Sequence, residues 1–283
     1  MTTLSRRQAL QALAAAPAAL AHDKKGATKV KKYVRFRHGS KTAYAELEGD
    51  TLHELHGSPI DGAQATGAKH KLAAVKLLAP CEPPKIVAVG RNYRSHLGDR
   101  QAPEQPELFY KPITALQHPD EPIVLPADST NVHYEGELVL VIGKRVKNVS
   151  LEAARAAIFG VTCGNDVSER EWQSGAKKDL RWWRAKGCDT FAPAGPAIVT
   201  GLDYDKLLLQ TRLNGEVVQK QLTSDLIFDC AAVVQYASRF VTLVPGDLVY
   251  TGTPGQTRKM KPGDLVEVDI KGIGVLRSPV TAG

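Results

Sequence analysis

Two glutamates separated by one residue open an apolar segment of the chain, in the run His133-Tyr134-Glu135-Gly136-Glu137-Leu138-Val139-Leu140-Val141-Ile142. Because successive strand side chains point to opposite faces, Glu135, Glu137 and His133 share one face, with the glutamate Cα atoms roughly 6.5 Å apart. Two adjacent carboxylates on an apolar strand repel each other and are costly to desolvate, and a hard cation between them removes both costs. Carboxylate sites suit Mg²⁺, Mn²⁺ or Ca²⁺. A solvated strand face explains the run equally well.

A third carboxylate, Asp166, lies where a strand is predicted to give way to a helix. Ile158–Cys163 is typical of a short strand, and Ser168 with Glu171 has the spacing of a capping box, which predicts a helix from about Glu169. Functional residues are common at such junctions. A lone aspartate before a helix is also typical of a turn residue that bonds its own backbone.

These segments, together with others, resemble the fumarylacetoacetate hydrolase family from about Lys85 to Leu276. Each motif is weak alone, whereas their order and spacing together are specific. In chain order the motifs are VGRNYRSH (Val89–His96), FYKP (Phe109–Pro112), HYEGEL (His133–Leu138), NDVSER (Asn165–Arg170), Lys186, FAPAGP (Phe191–Pro196), LNGEVVQ (Leu213–Gln219) and PGDLVYTGTP (Pro245–Pro254).

Local patterns predict a β-rich α+β chain, and the resemblance implies a mixed β-sheet roll around a metal. Strands are predicted at Tyr33–Arg37, Thr42–Leu47 and Thr51–Leu55, separated by glycine turns. Bacterial members of the family often carry such a small β-rich N-terminal domain. We therefore expect this domain at residues 22–80 and the catalytic domain at residues 81–283, with the boundary in the proline-rich segment Pro80–Pro84.

The second half of the chain is predicted to contain one longer helix and several strands. The helix is expected from about Asp225 to Thr242, capped by Thr223 or Ser224. Strands at Leu248–Thr251 and Leu265–Ile270 each follow a Pro-Gly-Asp turn. A last strand is expected near Val275–Arg277, after the turn Gly272-Ile273-Gly274.

A divalent ion held by Glu135, Glu137 and Asp166 would keep positions open for water and for a bidentate ligand. A 2-oxo acid can fill them through its carboxylate and keto oxygens, and the ion then stabilises enolate charge. Mg²⁺ and Mn²⁺ both accept this set of oxygens. The three carboxylates are therefore the predicted metal site, with Mg²⁺ or Mn²⁺ as cofactor.

A base must complete such a site, and His96 lies three residues before Asp99, one helical turn away. A carboxylate at that distance can orient the imidazole and raise its basicity. In hydrolytic members of the family the corresponding histidine works with a glutamate to activate water, whereas this chain has the shorter Asp99, followed by Arg100. The segment Ser95–Pro106 is expected to act as a lid.

The resemblance also implies the polar groups that meet the substrate. Lys186 is expected to stabilise the enolate or the carboxylate, and Thr253 to bind the substrate carboxylate. Arg170 and Gln173, three residues apart, would face one side of their helix. Arg91 and Lys111 would meet substrate charge; the complete set of expected substrate-binding residues is Arg91, Lys111, Arg170, Gln173 and Thr253. Without the resemblance, the default interpretation is a surface histidine on a flexible loop for His96 and a solvated lysine near a turn for Lys186.

The leading hypothesis is a metal-dependent hydrolase that cleaves a C–C bond of an acylpyruvate-like 1,3-diketo acid through an enolate. The alternative is an isomerase, tautomerase or decarboxylase for a 2-hydroxymuconate-type or oxaloacetate-like acid, with the same metal and enolate. A third hypothesis is a protein that only binds a small acid. The chain has no G-x-S-x-G motif, phosphate loop or dinucleotide fingerprint. Family resemblance implies a homodimer.

Composition fits a globular chain of 283 residues, with 24% charged and 43% hydrophobic residues and a net charge of +7. The lysine-rich stretch at residues 24–32 is typical of a solvated linker and does not predict nucleic-acid binding.

Four cysteines without C-x-x-C spacing predict neither a zinc site nor a redox pair, and they are expected to be buried free thiols: Cys81, Cys163, Cys188 and Cys230. The three tryptophans Trp172, Trp182 and Trp183 are expected in the core or an interface.

The first 21 residues resemble a twin-arginine export signal. Arg6 and Arg7 precede an Ala/Leu-rich stretch, and Ala19-Leu20-Ala21 has the small-x-small pattern of a cleavage site. The apolar stretch is too short to span a bilayer. These features predict a periplasmic protein; the alternative is a cytoplasmic protein that retains an amphipathic N-terminal helix.

Overall fold

The computed structural model describes residues 3–15 and 29–283. Strands dominate it. The strands are β1 (Lys31–His38), β2 (Lys41–Glu48), β3 (Thr51–Leu55), β4 (Ala65–Lys71), β5 (Lys76–Leu78), β6 (Ile86–Gly90), β7 (Glu107–Lys111), β8 (Leu116–Gln117), β9 (Ile123–Leu125), β10 (Val132–His133), β11 (Gly136–Ile142), β12 (Ile158–Asn165), β13 (Ser168–Glu169), β14 (Ala192–Thr200), β15 (Leu208–Leu213), β16 (Glu216–Leu222), β17 (Leu248–Tyr250), β18 (Leu265–Ile270) and β19 (Gly274–Ala282).

The helices are short. The α-helices are α1 (Arg6–Ala14), α2 (Arg94–Leu97), α3 (Leu151–Ala157), α4 (Arg170–Gln173), α5 (Trp183–Gly187) and α6 (Cys230–Phe240). Single turns of 3₁₀ helix lie at Pro59–Asp61, Leu72–Ala74, Ile113–Ala115, Tyr204–Lys206 and Thr223–Asp225.

The largest sheet has strand β11 near its centre, and both faces of this strand are covered. The strand order is β4-β3-β2-β1-β14-β12-β11-β17-β6-β7, with β5 paired to β1 and β8 to β14. Alternate residues of β11 enter different cores: Leu138 and Leu140 pack with Val268 and Ile270 of the second sheet, while Val139 packs with residues of β6 and β14. A strand buried on both faces is typically apolar, as residues 138–142 of β11 are.

The five-stranded second sheet has the order β16-β15-β18-β19-β9. A two-stranded ribbon, β10 with β13, joins the two segments that carry the acidic residues: Val132 pairs with Glu169, and His133 with Ser168. The structure is therefore the mixed, β-rich arrangement that the sequence predicts.

The N-terminal strands continue the main sheet. The predicted strands at residues 33–37, 42–47 and 51–55 are confirmed as β1, β2 and β3. β1 pairs antiparallel with β14, with Tyr33 opposite Ile198. The lysine stretch is not entirely a solvated linker, because Lys31 and Lys32 belong to β1 and Lys32 is buried; Lys24 and Lys25 lie outside the described residues.

Two helix starts differ from the prediction. The helix expected from Asp225 begins at Cys230, where the Asp229 side chain accepts a hydrogen bond from the Ala232 amide. The preceding segment is diverted because Asn92 accepts hydrogen bonds from the Ile227 and Phe228 amides, through its carbonyl and its side chain respectively. This pairing spans more than a hundred residues, so no local pattern reveals it.

The predicted capping box at Ser168 is also absent. Helix α4 begins at Arg170, and the Glu169 side chain caps it by accepting from the Trp172 amide. Ser168 belongs to β13, and its hydroxyl donates to the Asp166 carbonyl at 2.8 Å. Ser168, which the local spacing had assigned to the helix cap, is thus used in the strand pairing with His133.

Helix α1 packs on the body of the protein near the C-terminal strand. Ser5 and Gln8 form a capping box at its start, and Leu13 is buried beside Gly274 of β19. The Lys32 ammonium group donates to the carbonyls of Leu13 and Ala15 at 2.7 and 3.1 Å. The predicted cleavage site lies outside the described residues. Among those residues, no helix is long and apolar enough to cross a membrane.

Arg6 and Arg7 supply a direct test of the proposed export. We expect the double substitution Arg6→Lys, Arg7→Lys to remove the protein from the periplasmic fraction of a bacterium with twin-arginine transport, because the pathway reads the paired guanidinium groups. Fractionation followed by immunoblotting measures this change. Arg145→Lys, at an exposed position, is the control. Unchanged periplasmic protein in the double variant would contradict the proposal.

Candidate active site

The three predicted metal ligands lie together at one end of β11 and β12. One carboxylate oxygen of each of Glu135, Glu137 and Asp166 lies within 4.8 Å of the other two, and all three residues are buried. Strand register explains the meeting, because Gly136 of β11 pairs with Asn165 of β12. Two hydrogen bonds fix the junction: Asp166 N donates to the Glu135 carbonyl, and Glu135 N donates to Asn165 Oδ1, both at 2.8 Å.

Two buried lysines hold the outer carboxylates of this cluster. Lys186 Nζ lies 2.7 Å from Glu135 Oε2 and 2.6 Å from Asp166 Oδ2. Burial alone would lower the pKa of Lys186, but attraction by Asp166 and Glu135 outweighs it and raises the pKa. Lys111 donates to Asp166 Oδ1 and is fully buried. The structure thus places Lys111 behind the cluster, as a partner of Asp166, and not in the wall of the cleft.

Glu137 lacks such a partner. Its Oε2 accepts from the Gly252 amide at 2.7 Å, whereas its buried Oε1 has no hydrogen-bond partner among the described residues. Burial and the negative charges of Asp166 and Glu135 raise the pKa of Glu137 well above its usual range. An unpartnered carboxylate oxygen facing two further carboxylates is stabilised by a cation, so the three residues fit a hard divalent ion such as Mg²⁺ or Mn²⁺.

Glu135 carries the opposite shift. Burial would raise its pKa, but the charges of Lys186 and Arg170 outweigh burial and lower the pKa. Arg170 Nη2 lies 2.6 Å from Glu135 Oε1, and Arg170 Nη1 donates to Gln173 Oε1 at 2.6 Å. The predicted pairing of Arg170 with Gln173 on one side of their helix is confirmed, and both residues line the cleft.

His96, the predicted base, faces the cluster but does not meet Asp99. Its Nδ1 lies 2.6 Å from the Gly255 carbonyl, and its Nε2 lies 3.8 Å from Glu135 Oε1. A carbonyl can only accept, so Nδ1 carries a hydrogen and, in the neutral ring, Nε2 is the free base. Asp99 is exposed in the turn after α2. The Gly255 carbonyl therefore orients the His96 ring, a role that the i, i+3 spacing had assigned to Asp99.

Thr253 lines the cleft from the loop after β17. Its hydroxyl donates to the Gly136 carbonyl at 2.9 Å and accepts from Gln219 Nε2 at 2.8 Å. Gly252 precedes it with φ of 105°, and a Cβ there would lie 2.7 Å from the Asn92 Cβ. Glycine is therefore required where the loop passes Asn92 and presents its amide to Glu137.

The cleft has a volume of about 450 Å³, enough for a small organic acid. Sequence reasoning missed part of its wall. Trp182, expected in the core or an interface, lines the cleft with Phe109; their ring centroids lie 5.3 Å apart at 82°. Arg91 also lines it, although Glu107 pairs with its guanidinium through both carboxylate oxygens. The pairing of β6 with β7, which sets Gly90 opposite Glu107, brings Arg91 to Glu107 from a distant part of the chain.

His133 is predicted on the glutamate face, and it does line the same cleft. Its Nδ1 lies 2.9 Å from Thr257 Oγ1, and its Nε2 lies 2.8 Å from Asn131 Oδ1. Burial, reinforced by the Arg170 guanidinium, lowers the pKa of His133 to about 4. Both ring nitrogens are engaged, so His133 has no free nitrogen for a metal in this arrangement.

Comparison with known proteins places the chain in a family. Residues 85–281 match the model described as "Fumarylacetoacetate (FAA) hydrolase C-terminal", and residues 31–80 match "Rv2993c-like, N-terminal". The first match covers well over half of the chain. The chain belongs to the fumarylacetoacetate hydrolase family, with an Rv2993c-like N-terminal domain.

Three relatives illustrate the range of similarity. Protein Rv2993c of Mycobacterium tuberculosis is 43% identical over 250 residues, covering 84% of this chain and 93% of that protein. Oxaloacetate tautomerase FAHD2A of Bos taurus, a mitochondrial protein, is 40% identical, covering 73% of this chain and 69% of its own length. The crystal structure of 5-carboxymethyl-2-hydroxymuconate delta-isomerase from Mycobacterium smegmatis superposes with a TM-score of 0.84 at 42% identity, covering 89% of this chain and all of that chain.

Substituting Glu137 tests the three-carboxylate site. We expect Glu137→Gln to weaken Mg²⁺ or Mn²⁺ binding at least tenfold, because it removes one of the three charges that attract the ion. Calorimetric titration of chelator-treated protein measures the affinity, and thermal unfolding with and without Mg²⁺ measures the stabilisation by bound ion, about 2.7 kcal/mol at a hundredfold excess over Kd.

Glu152→Gln is the matched control, because Glu152 is exposed on α3. The control is expected to bind the ion with unchanged affinity. Wild-type affinity in Glu137→Gln would contradict the assignment of Glu137 as a ligand.

Proposed function

We propose that the chain is a divalent-metal-dependent tautomerase or isomerase that moves a proton between the keto and enol forms of a 2-oxo acid. The observation that carries the proposal is the environment of His96. Its Nδ1 lies 2.6 Å from the Gly255 carbonyl, and its Nε2 faces the carboxylate cluster at 3.8 Å from Glu135 Oε1, beyond hydrogen-bond distance. Such a ring can accept a proton from a substrate and give it back.

When bound, a divalent ion at Glu135, Glu137 and Asp166 supplies Lewis-acid stabilisation of negative charge on the substrate oxygens. The other steps belong to side chains. His96 Nε2 takes a proton from the carbon beside the keto group and returns it to the keto oxygen, so no atom enters or leaves overall. Lys186, which faces the cleft from α5, adds positive charge near the developing enolate.

The substrate is positioned by the polar wall of the cleft. Arg170 and Thr253 both line the cleft, and Arg170 Nη2 also lies 2.6 Å from Glu135 Oε1. Because the Thr253 hydroxyl already donates to the Gly136 carbonyl, it can meet a substrate carboxylate only by exchanging that bond. The Phe109 and Trp182 rings offer an apolar surface for the flat part of a conjugated acid.

Hydrolysis of a C–C bond in an acylpyruvate-like acid is the second candidate. It is favoured by the 3.8 Å separation of His96 Nε2 from Glu135 Oε1, which leaves two basic groups on one side of the site to activate water. We rank it second because hydrolytic members of the family pair the histidine with a glutamate, whereas Asp99 is one methylene shorter and exposed, and His96 Nδ1 meets the Gly255 carbonyl instead. The names of the similar isomerase and tautomerase support the same order.

Substituting His96 tests the proton-transfer role. We expect wild-type protein with Mg²⁺ to accelerate conversion of enol oxaloacetate to its keto form, followed by ultraviolet absorbance, and EDTA to abolish the effect. His96→Gln should lower kcat by roughly 10²- to 10⁴-fold, the contribution of a positioned base, while leaving calorimetric Mg²⁺ affinity unchanged.

His56→Gln is the control, because His56 is an exposed histidine of the N-terminal domain. Full turnover in His96→Gln would contradict the base assignment. Release of equal amounts of pyruvate and acetate from acetylpyruvate, without tautomerisation of oxaloacetate, would instead establish the hydrolase.

We also propose that the chain forms a homodimer, as the family implies. β7 is the outermost strand of the main sheet and carries exposed Tyr110, and Ile113 follows it. Trp183 of α5 is 76% exposed, and the neighbouring Gly187 lies against Pro112, so the two apolar segments meet. An unpaired edge strand beside apolar side chains is suited to a second copy.

The dimer is tested by sedimentation equilibrium. Wild-type protein is expected at twice the chain mass, and Trp183→Glu at the mass of one chain at low micromolar concentration, because a buried unpaired carboxylate opposes association. Phe240→Glu, at an exposed position on α6, is the control. A dimer of unchanged affinity in Trp183→Glu would exclude this surface.

A further inference from the structure

The cleft contains four cationic side chains, and three of them form ion pairs with carboxylates. Arg91 pairs with Glu107, while Arg170 and Lys186 pair with Glu135. The fourth, Arg100, makes no ion pair with the described residues. Its Nε donates to the Leu97 carbonyl at 3.0 Å, and its Nη2 lies 3.5 Å from the His96 carbonyl. These bonds position the guanidinium after α2 but leave its charge uncompensated.

The net charge of the cleft determines which ligand charge it can compensate. Four cations and the three lining carboxylates Glu107, Glu135 and Glu137 leave one positive charge, and behind them Lys111 and Asp166 cancel each other. A divalent ion in the carboxylate cluster raises the excess to three. The enolate of a monocarboxylic 2-oxo acid carries two negative charges, whereas the enolate of a dicarboxylic one carries three. The dicarboxylic acid matches the cleft.

From this geometry we infer that Arg100 binds the second carboxylate of a dicarboxylic 2-oxo acid whose other end lies at the Glu135, Glu137 and Asp166 cluster. The inference rests on the proposed function, because it takes the 2-oxo acid end to be held there. Arg100 is exposed and lines the same cleft as His96, whereas the three carboxylates of the cluster are buried. Its planar guanidinium can meet a carboxylate through two parallel hydrogen bonds.

Arg91 is the alternative residue for this role, and its pairing excludes it. Both Nε and Nη2 of Arg91 are engaged by the two oxygens of Glu107, so the face that would bind a carboxylate is occupied. A substrate would have to displace Glu107 to reach it. Arg100 requires no such displacement, because its bonds go to main-chain carbonyls through Nε and one edge of Nη2 and leave Nη1 unengaged.

The test compares stable acids that differ only in the far group. 2-Oxoglutarate and 2-oxovalerate share a five-carbon chain, and 2-oxoadipate and 2-oxohexanoate form a longer pair. Each is titrated calorimetrically into Mg²⁺-loaded protein. We expect the wild type to bind the better dicarboxylic acid roughly 10- to 100-fold more tightly than its monocarboxylic partner, the range of a charge-assisted hydrogen bond.

Arg100→Gln is expected to bring this ratio close to one by weakening the dicarboxylic acid alone, and Arg100→Lys to restore part of it. Unchanged binding of the monocarboxylic acid reports that the variants are folded. Arg94→Gln is the control, because Arg94 is exposed on α2, shortly before Arg100, and lies outside the cleft wall. It should retain the wild-type ratio.

The outcomes separate the two proposals. If the wild type binds neither member of either pair, both the 2-oxo acid site and the role of Arg100 are overturned. If it binds both members equally, the 2-oxo acid site stands and the dicarboxylate inference is overturned. A wild-type preference that survives in Arg100→Gln overturns the assignment to Arg100.

Discussion

The mutual repulsion of three buried carboxylates is the constraint around which this site is built. Glu135 and Asp166 are compensated by Lys186, with Arg170 and Lys111 as further partners, whereas Glu137 keeps one buried oxygen without a partner among the described residues. Removing charges from water is costly unless each is paired. The protein therefore stabilises two of the carboxylates by its own cations and leaves the third in an arrangement that a divalent ion would complete. The strand register causes this clustering, because β11 and β12 place all three residues at the same end of two neighbouring strands. β11 is buried on both faces.

The same strands also explain why the cleft lies beside this cluster. β17 runs next to β11 and ends in the Gly252-Thr253 loop, whose amide reaches Glu137, and β6 follows on the other side of β17 and leads into the segment that carries His96. His96 is then oriented by a carbonyl from the Gly255 turn, which extends that same loop. The acidic cluster, the base and the polar wall are thus positioned by the ends of neighbouring strands, while the N-terminal strands extend the sheet beyond β14.

Local sequence patterns predicted the parts of this arrangement that depend on short-range geometry. The alternation in residues 133–142 and the strand before Asp166 placed the three carboxylates correctly, and family resemblance added Lys186. What failed depended on contacts between distant segments. The hydrogen bonds of Asn92 to the segment before α6 make this helix begin later than predicted. Ser168 pairs with His133 in a strand, so it does not cap α4. The Gly255 carbonyl binds the His96 ring nitrogen that the spacing had assigned to Asp99. The ion pair of Arg91 with Glu107 and the uncompensated charge of Arg100 likewise become visible only when the cleft is assembled.

Exchange of carbon-bound hydrogen with solvent tests the central claim, that His96 moves a proton at a site completed by a divalent ion. Proton NMR of a 2-oxo acid in D₂O follows the signal from the carbon beside the keto group. With Mg²⁺-loaded wild-type protein this signal is expected to disappear much faster than in buffer, and the acceleration should vanish both with EDTA and in His96→Gln. Exchange that continues undiminished in His96→Gln, or that ignores removal of the metal, would contradict the account.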